Sequence, residues 1–426
     1  MKLLVVTYNA LMVSTPNGRT MISLLDGYKP DEIINFCVSG IPDKKYSGGG
    51  YKVTNKNALA AFFCRKEQGG PVESQSAEET NRSFSRDSYH KKKSPWKYYL
   101  REYFWRKGAW RQDGLKNWLK SQKFDCIVYM YGDGAALQDF SVFASGFLNI
   151  PLIVYSCEEY YFKDYNYINQ KENSIWFKKY ITLSKRATEQ LFARADVLIC
   201  NTDRLGALYA ETFGISEVKT IMMASEMEFK ENVLVPAVED MKITYCGSLG
   251  VDRDQALIDI SEALNKIDSR LKLDVYGRAD ENTERLLSGC QYIRFHGFIP
   301  YAEVQKVIRD STLLIETITF NRFQAKNRRF GFSTKNADSL ACGTPYFLYE
   351  RAEIVEMDFV KEHNCAFYAD REENLVPALK EALFNGEARR DKVKNAKKTT
   401  DIYFNQKKNI EVVHGIIDKA VAKYRG

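Results

Sequence analysis

Short apolar runs alternate with segments of helical spacing along almost the whole 426-residue chain. The first run is LLVVTY, and it is followed by FDCIVYMYG, PLIVYS and DVLICNT. Strands joined through helices are parallel, because the crossover helix returns the chain to the same edge of the sheet. The series restarts at MKITYCGSLG and continues through KLDVYG, YIRFHG, TLLIET, PYFLY and CAFYA. The sequence therefore predicts an α/β protein with two doubly wound parallel sheets.

The length of the chain also favours more than one core. Pro236 and the charges around it in ENVLVPAVED separate the two series, as is typical of a domain boundary. We predict an N-terminal Rossmann-like domain over 1–235, a C-terminal one over 236–405, and a final helix over 406–426 that could pack back on the first domain. The polar stretch 65–94 predicts a mobile loop inside the first domain.

The scarce residue types exclude several classes of protein. The nine cysteines are scattered without a CxxC pair, and the four histidines lack metal-ligand spacing, so neither a disulfide scaffold nor a zinc site is expected. No apolar run approaches the length of a membrane-spanning helix, and LLVVTY is too short for a signal peptide. We expect a cytoplasmic protein that is soluble or lies on the inner membrane surface.

The net charge of +7 comes from one segment, 91–123, which carries eleven basic residues against two acidic ones. Four tryptophans accompany them: Trp96, Trp105, Trp110 and Trp118. A basic amphipathic helix with such aromatics predicts contact with an anionic membrane. The alternative is a solvated basic face whose aromatics pack inward. No nucleic-acid-binding motif accompanies the charge, so a nucleic-acid partner is not expected.

The strongest motif is GFSTKNADSLACGTPYFLY, residues 331–349. A loop of small polar residues enters a helix whose first amides and dipole can hold a phosphate. Ser333 and Thr334 add hydroxyl groups and Lys335 adds a full charge, while Asp338 lies one turn later and could accept hydrogen bonds from ribose hydroxyls. The alternative is an ordinary capped helix with an i,i+3 ion pair between Lys335 and Asp338.

This motif resembles the donor site of family 4 GT-B glycosyltransferases, in which a lysine and a helical acidic residue precede an LAxGxP turn. LACGTP matches at 340–345, Lys335 matches the family lysine and Asp338 takes the place of the ribose-binding glutamate. KITYCGSLGVDRDQALIDI is similar to the opening of the family's second domain, with Gly247 at the pyrophosphate-loop glycine and Arg253 at a basic phosphate ligand. RFHGFIPYAEV resembles the segment that receives the nucleobase, which would involve Gly297, Phe298 and Ile299.

The chain departs from the family pattern at several positions. Phe330 replaces the acid that opens the family's carboxylate pair, and Glu316 is a possible substitute at a strand end. Ser248 stands where a basic residue often follows the loop glycine. The first-domain histidine of many members has no counterpart, and Asp133 is the nearest polar candidate.

The resemblance implies the GT-B fold and sugar transfer from a UDP- or GDP-linked nucleotide sugar with retained anomeric configuration and no metal or other cofactor. The acceptor would be a glycan or lipid-linked molecule in surface polysaccharide or glycolipid synthesis. Arg253, Lys335 and Asp133 would be the catalytic residues. The acceptor would lie near Gly18 and Arg19 in STPNGRT, which we expect to form a loop after the first strand, because Gly18 permits close backbone approach. A DxD string, Asp252-Arg253-Asp254, allows a metal-binding alternative, although acidic residues are also favoured at a helix start.

Two other functions stay open on the same fold. A sugar-nucleotide epimerase would need acidic and histidine groups converging in one cleft, and histidines are scarce here. A non-catalytic binding protein would have no need of Lys335 and Arg253, yet both are present.

Overall fold

The computed structural model describes residues 1–64, 69–76, 94–108, 112–169, 172–225, 227–250, 253–318, 320–321, 325–326 and 329–426. Its contacts divide the chain into two compact units. The N-terminal unit comprises Met1–Ile221 and Lys407–Gly426, and the C-terminal unit comprises Met222–Gln406. Most of the loop predicted over 65–94 lies outside the described residues.

A mainly parallel sheet forms the centre of the N-terminal unit. Its described strands are β1 (Leu3–Asn9), β2 (Ile33–Ser39), β3 (Gly50–Lys52), β4 (Gly70–Val72), β5 (Cys126–Met130), β6 (Leu152–Ser156), β7 (Val197–Cys200) and β8 (Val218–Thr220). They lie in the order β4-β3-β2-β1-β5-β6-β7-β8, and only β4 runs antiparallel to its neighbour among these strands. Val5 pairs with Asn35 on one side and with Val128 on the other. The strand order therefore reverses between β1 and β5.

Helices on both faces connect these strands. Those described are α1 (Pro16–Leu24), α2 (Asn55–Cys64), α3 (Pro95–Arg106), α4 (Asp113–Gln122), α5 (Ala135–Leu148), α6 (Ile175–Arg194), α7 (Asp203–Phe213) and the final helix α15 (Gln406–Arg425). The αL residue Gly214 ends α7 with φ +65°, at the position where a helix-terminating glycine is favoured.

The helix after β1 begins earlier than the sequence suggested. STPNGRT was expected to form a loop, but Thr15 caps α1 by accepting a hydrogen bond from the Gly18 amide, and Pro16 takes the first helical position. Proline is favoured there because its missing N–H has no intrahelical partner to lose. Gly18 and Arg19 consequently lie in the first turn of α1 rather than in a loop.

The C-terminal unit contains a fully parallel sheet. Its described strands are β9 (Ile243–Cys246), β10 (Leu273–Tyr276), β11 (Ile293–Gly297), β12 (Leu313–Thr317), β13 (Tyr346–Tyr349) and β14 (Phe367–Ala369), in the order β11-β10-β9-β12-β13-β14. Leu313 and Ile315 pack into one apolar cluster and Leu314 into another. Because successive strand residues face opposite sides, both faces of this sheet are buried, as the prediction of two doubly wound sheets requires. That prediction is confirmed.

The helices of the C-terminal unit are, within the described residues, α8 (Arg253–Ile267), α9 (Glu281–Ser288), α10 (Tyr301–Asp310), α11 (Thr334–Ala341), α12 (Val355–His363), α13 (Glu372–Phe384) and α14 (Gly386–Tyr403). The side chains of Pro16 and Thr334 are not described.

The contact division falls after Ile221, whereas the sequence placed the boundary at 235. Met222 and Met227 already belong to a core cluster of the C-terminal unit. The buried Arg389 guanidinium also donates hydrogen bonds to the Val233 and Leu234 carbonyls, over 3.2 and 3.1 Å. These contacts hold residues 222–235 in the C-terminal unit.

The basic segment forms two helices, α3 and α4, instead of one. Trp105 is buried, with 2% of its surface exposed, and Trp118 packs against Tyr51 and Phe124. Trp96 is exposed, while Trp110 and the lysines at 91–93 lie outside the described residues. Two of the four tryptophans therefore pack inward, as in the alternative considered for this segment.

No helix in the described part of the chain combines the length and apolar character needed to cross a membrane. All nine cysteines are free thiols.

Candidate functional site

A buried polar cluster of the C-terminal unit lies where its strand order reverses, between β9 and β12. Ligands of parallel α/β sheets bind beyond the carboxyl ends of the strands at such a reversal. Gly247 follows β9, and Glu316 lies at the end of β12 with 2% of its surface exposed. Lys335 reaches this point from α11.

Three glycines mark the carboxyl ends of β9, β10 and β11. The Gly247 amide donates to the Tyr276 carbonyl and the Gly277 amide to the Gly297 carbonyl, each over 2.8 Å. A Cβ on Gly277 would lie 1.9 Å from the Gly247 oxygen, so the two backbones meet without room for a side chain. A Cβ on Gly247 would lie 2.3 Å from the Lys335 Nζ. The glycine therefore lets the ammonium group rest directly against the backbone.

The Lys335 ammonium lies between an acid and a phenol. Its Nζ is 2.8 Å from Glu316 Oε1 and 3.3 Å from the Tyr245 hydroxyl. Desolvation is the largest single effect and lowers the pKa of Lys335, but the Glu316 carboxylate and Tyr245 together outweigh it, and the pKa is raised above its ordinary value. The ammonium is thus a permanent positive charge, and 27% of its side chain is open to solvent.

Arg253 begins α8 and is 6% exposed. Its Nε donates to the Thr317 carbonyl over 3.0 Å, and its Nη1 donates to the Gly250 and Ser248 carbonyls over 3.2 and 3.4 Å. The Ser248 carbonyl also accepts from the Tyr245 hydroxyl, over 2.7 Å. Lys335 therefore contacts the Tyr245 hydroxyl directly, whereas Arg253 shares the Ser248 carbonyl with it. Through its hydrogen bonds, Arg253 fastens the loop after β9 to the end of β12.

The metal-binding alternative rested partly on Asp252, which lies outside the described residues. Asp254 stands in the first turn of α8. In the described ranges of the chain, no group of three or more His, Cys, Asp or Glu residues is arranged to hold a metal ion.

A protein carboxylate lies at the N-terminus of α11. The amide of Ser333, the N-cap residue, donates to Glu356 Oε1, and the Asn336 side chain donates to the same oxygen over 2.8 Å. Tyr346 in turn donates to Asn336 over 2.7 Å. No sequence pattern pointed to Glu356, because it follows the motif on another helix. One of the amides expected to face a phosphate is thus already engaged.

Glu350 follows β13 and is fully buried. Desolvation, followed by the neighbouring carboxylates of Glu356 and Glu316, raises the pKa of Glu350 well above its ordinary value. Burial therefore favours the protonated, neutral form of this carboxyl group. Glu350 was also missed by sequence reasoning.

Asp338 is held by two hydroxyl groups. Its Oδ1 accepts from Ser225 over 2.7 Å and its Oδ2 from Tyr301 over 2.8 Å. Each carboxylate oxygen can accept more than one hydrogen bond, so this fixed orientation is compatible with further hydroxyl ligands. Because Lys335 is engaged by Glu316, the simple ion pair between Lys335 and Asp338 does not account for the motif.

The segment resembling a nucleobase site lies at the end of β11. Gly297 has φ +72°, which favours glycine, and Phe298 is 58% exposed. The Arg278 guanidinium lies 4.1 Å from the Phe298 ring centroid, while Ile299 is half-buried. Arg278 was not predicted, although it directly follows the strand-ending Gly277 in the sequence.

Asp133 occupies the corresponding reversal of the N-terminal unit, after β5. Its Oδ2 accepts from the Tyr180 and Tyr167 hydroxyls over 2.7 and 3.1 Å. Arg101, which was not predicted, lies nearby with its guanidinium 4.8 Å from the Tyr98 ring. These phenols hold the Asp133 carboxylate in one orientation.

The structure explains the glycine at position 18 in a way that the sequence did not indicate. A Cβ there would lie 2.3 Å from the Met12 carbonyl oxygen and 2.6 Å from the Thr15 hydroxyl. The glycine is therefore required by the turn that begins α1, whatever lies outside it. Arg19, the next residue, is half-buried.

Comparison with known proteins supports this fold. Residues 255–413 match the model of a family described as glycosyl transferase-like. Sucrose-phosphate synthase from Thermosynechococcus elongatus superposes with a TM-score of 0.64 at 11% identity, covering 99% of this chain and 100% of that one. Anabaena HepE in complex with UDP gives 0.63 at 10% identity, covering 98% and 100%.

S. aureus TarM superposes with a TM-score of 0.52 at 12% identity. The superposition covers 71% of this chain and 57% of TarM. No curated protein sequence matches the chain. At these identities the structural likenesses establish the fold, which is GT-B.

Proposed function

We propose that this chain, a glycosyltransferase of the GT-B fold, binds the diphosphate of a nucleotide sugar at the β9–β12 reversal and transfers the sugar to a glycan or lipid-linked acceptor. The observation that carries the proposal is the Lys335 ammonium, which lies against Gly247 at the carboxyl end of β9. A charged, partly exposed lysine at this edge of a parallel sheet is suited to an anionic ligand.

The neighbouring residues then contact different parts of the donor. Lys335 contacts the diphosphate, while Arg253 keeps Ser248 and Gly250 in place and adds positive charge to the site. Asp338 accepts hydrogen bonds from ribose hydroxyls in the orientation that Ser225 and Tyr301 impose. Ser333 and Thr334, where α11 begins, are the remaining proposed donor contacts.

The nucleobase and the sugar lie at opposite ends of that diphosphate. Gly297, Phe298 and Ile299 receive the base, next to the Arg278 guanidinium. Glu316, at the end of β12, is the carboxylate closest to Lys335 and would accept hydrogen bonds from the sugar. It also keeps the lysine charged before the donor arrives.

Catalysis in this scheme is electrostatic. Negative charge grows on the departing diphosphate as the bond to the sugar breaks, and a fixed ammonium stabilises it without reorganisation. Retained anomeric configuration and independence of metal are part of the proposal. Asp133, held by Tyr180 and Tyr167, is the carboxylate proposed to meet the acceptor hydroxyl, with Gly18 and Arg19 as further acceptor contacts.

UDP is the first nucleotide to test, with GDP as the alternative. HepE was solved with UDP and with UDP-glucose, and TarM with UDP. Both structures share only the fold with this chain, so they support the choice of probe.

Titration calorimetry with UDP and GDP tests the site. Lys335→Ala should weaken binding of the preferred nucleotide by roughly 10- to 100-fold, because a charge-assisted hydrogen bond contributes about 1.5–3 kcal/mol. Lys361→Ala is a matched control, since Lys361 also pairs with an acid, Asp370, over 2.9 Å and lies over a tyrosine ring. Equal affinities of wild type and Lys335→Ala for both nucleotides would overturn the proposal.

Product analysis separates the remaining possibilities. Transfer to an acceptor should continue in excess EDTA, and NMR of the product should show the anomeric configuration of the donor. Loss of activity in EDTA would support the metal-binding alternative at Asp252 and Asp254. Release of an epimerised nucleotide sugar without any acceptor would instead support the epimerase.

A further inference from the structure

Three helices of the N-terminal unit expose a continuous band of aromatic and aliphatic side chains. Rings follow one another from α2 across α3 to α6: Phe63 to Phe104 at 5.6 Å, Phe104 to Tyr103 at 5.8 Å, Tyr103 to Tyr99 at 6.3 Å and Tyr99 to Trp176 at 5.7 Å between centroids. We call this the aromatic strip and include in it the exposed Leu59, Phe63, Trp96, Tyr103, Ile175 and Trp176.

The strip faces outward because the opposite face of α3 is anchored. Tyr98 packs edge-on to Tyr180 of α6, with 5.7 Å between centroids. Trp105 is buried and donates through Nε1 to the Asn55 side chain of α2 over 2.9 Å. With positions 98 and 105 directed inward, helical periodicity directs positions 96 and 103 toward solvent.

The exposure of these side chains is unusual for a soluble surface. Phe63 is 68% exposed and Ile175 is 64% exposed, and both are large and apolar. Contiguous apolar surface of this kind marks an interaction site, whereas single exposed apolar residues need no explanation.

Lysines accompany the rings at close range. Lys97 lies 5.6 Å from the Trp96 ring, Lys107 lies 5.0 Å from Tyr103, and Lys179 lies 5.1 Å from Trp176. Within the described residues of α2, α3 and the segment 175–185, the single acidic residue is Glu102. It is buried and paired with Arg101 over 2.5 Å. The strip is therefore positively charged at its surface.

We infer that the aromatic strip rests on an anionic lipid surface, with Phe63, Ile175 and Leu59 entering the acyl boundary. Tryptophan and tyrosine favour the interfacial layer, since they combine an apolar ring with a polar group. Lysines that extend past such rings reach the lipid phosphates. Aliphatic and phenylalanine side chains that protrude suit hydrocarbon better than the hydroxyl groups of a soluble glycan.

The inference rests on the proposed function in one respect: it makes the acceptor a lipid-linked molecule, drawn from the surface on which the strip rests. The strip belongs to the N-terminal unit and the proposed donor site to the C-terminal unit. Membrane contact and nucleotide binding can therefore be measured separately.

Flotation of the full chain with vesicles tests the inference. The protein should float with vesicles of phosphatidylcholine and phosphatidylglycerol and remain behind with phosphatidylcholine alone. The triple variant Lys97→Gln, Lys107→Gln, Lys179→Gln should bind roughly 100-fold more weakly, because each lysine near an anionic surface contributes about fivefold. The double variant Phe63→Ala, Trp176→Ala should lose at least about tenfold through its buried apolar area.

A matched control lies in the other unit. Lys361→Gln with Tyr368→Ala removes a lysine 5.0 Å from an exposed tyrosine ring, and it should float like wild type. Each variant should retain the circular-dichroism spectrum and thermal unfolding of wild type, which verifies that its N-terminal unit is folded.

Absence of flotation, equal flotation with neutral vesicles, or unchanged flotation of both strip variants would overturn the inference. A partner protein captured in place of lipid would also overturn it. A wild-type protein that floats with anionic vesicles but binds neither UDP nor GDP would count against the proposed function alone.

Discussion

Single side chains behind Lys335 show how burial sets the charge of the candidate site. Glu316 forms the ion pair with Lys335, and Glu356 receives the Ser333 amide. Glu350 is fully buried beside them. Because these carboxyl groups are close to one another, keeping Glu350 neutral limits the negative charge under the lysine. A proton on Glu350 therefore leaves Lys335 and Arg253 opposed by two carboxylates rather than three.

The proton on Glu350 predicts a pH-dependent stability. A carboxyl group with a raised folded-state pKa destabilises the native protein as pH rises from the unfolded value, 4.5, toward the folded value, since only the unfolded chain can ionise freely. Glu350→Gln should therefore gain stability over wild type across that range, by up to about 1.4 kcal/mol per pH unit. Urea unfolding at several pH values measures the difference.

Glu373→Gln supplies the control for that experiment. It removes an exposed carboxylate in the first turn of α13, so it should follow wild type at every pH. A constant difference between Glu350→Gln and wild type from pH 4.5 to 8 would show that Glu350 ionises freely in the folded protein.

Sequence reasoning found the residues that belong to one motif and missed those brought in by the fold. Lys335, Asp338 and Gly247 were expected from local patterns, and the structure places them at the β9–β12 reversal or on the helix beside it. Glu350, Glu356 and Arg278 come from other elements. Their contribution depends on burial and on distances across the sheet, which spacing along a sequence does not encode.

At the scale of elements, the ends of three neighbouring strands each require a glycine. Gly247 and Gly277 allow the loops after β9 and β10 to approach each other, while Gly297 is favoured by its φ of +72°. The chemical surroundings of Gly247 and Gly277 differ, however. A side chain at 247 would meet the ends of the Lys335 and Tyr245 side chains, whereas one at 277 would meet backbone.

Alanine at these two glycines should therefore give different results. Gly247→Ala should displace the ammonium and weaken nucleotide binding roughly tenfold, and it should lose less unfolding free energy than Gly277→Ala because side-chain ends move more readily than backbone. Gly277→Ala should destabilise the protein by about 1–3 kcal/mol or more, because the backbone must move. Calorimetry and chemical denaturation of both variants test the contrast, and a Gly247→Ala variant that binds normally would contradict it.

Elements with strong periodicity were predictable, and those defined by side-chain hydrogen bonds were not. The alternation of strands and helices yielded both sheets. The start of α1 was missed because its cap depends on one hydrogen bond from the Gly18 amide to Thr15. The division of the basic segment into α3 and α4 was missed because charge and aromatic content are similar in both helices.

At the scale of the whole molecule, the last helix completes the core of the first unit. Val413, Ile416, Ile417, Ala420 and Val421 of α15 pack with β1, β5 and β7 residues such as Leu3, Val128 and Ile199. The chain thus leaves the N-terminal unit after Ile221 and returns at Lys407. The final helix is part of that unit's hydrophobic core and not an appendage.

Truncation of one side chain in α15 should destabilise residues far away in sequence. Ile417 has no exposed surface, so Ile417→Ala should lower the unfolding free energy of the N-terminal unit by about 2–5 kcal/mol. Hydrogen exchange should show faster opening of β1 and β5 in this variant. The exposed Val412→Ala, on the same helix, is the control, and equal exchange in both variants would contradict the assignment.

The return of α15 also determines when each unit can be completed during synthesis. Domains made first usually fold first as the chain leaves the ribosome. Here every residue of the C-terminal unit emerges before Val421, which belongs to the core of the N-terminal unit. The unit that begins the chain is therefore finished last, and until then its unfilled groove is the surface that a chaperone would have to protect.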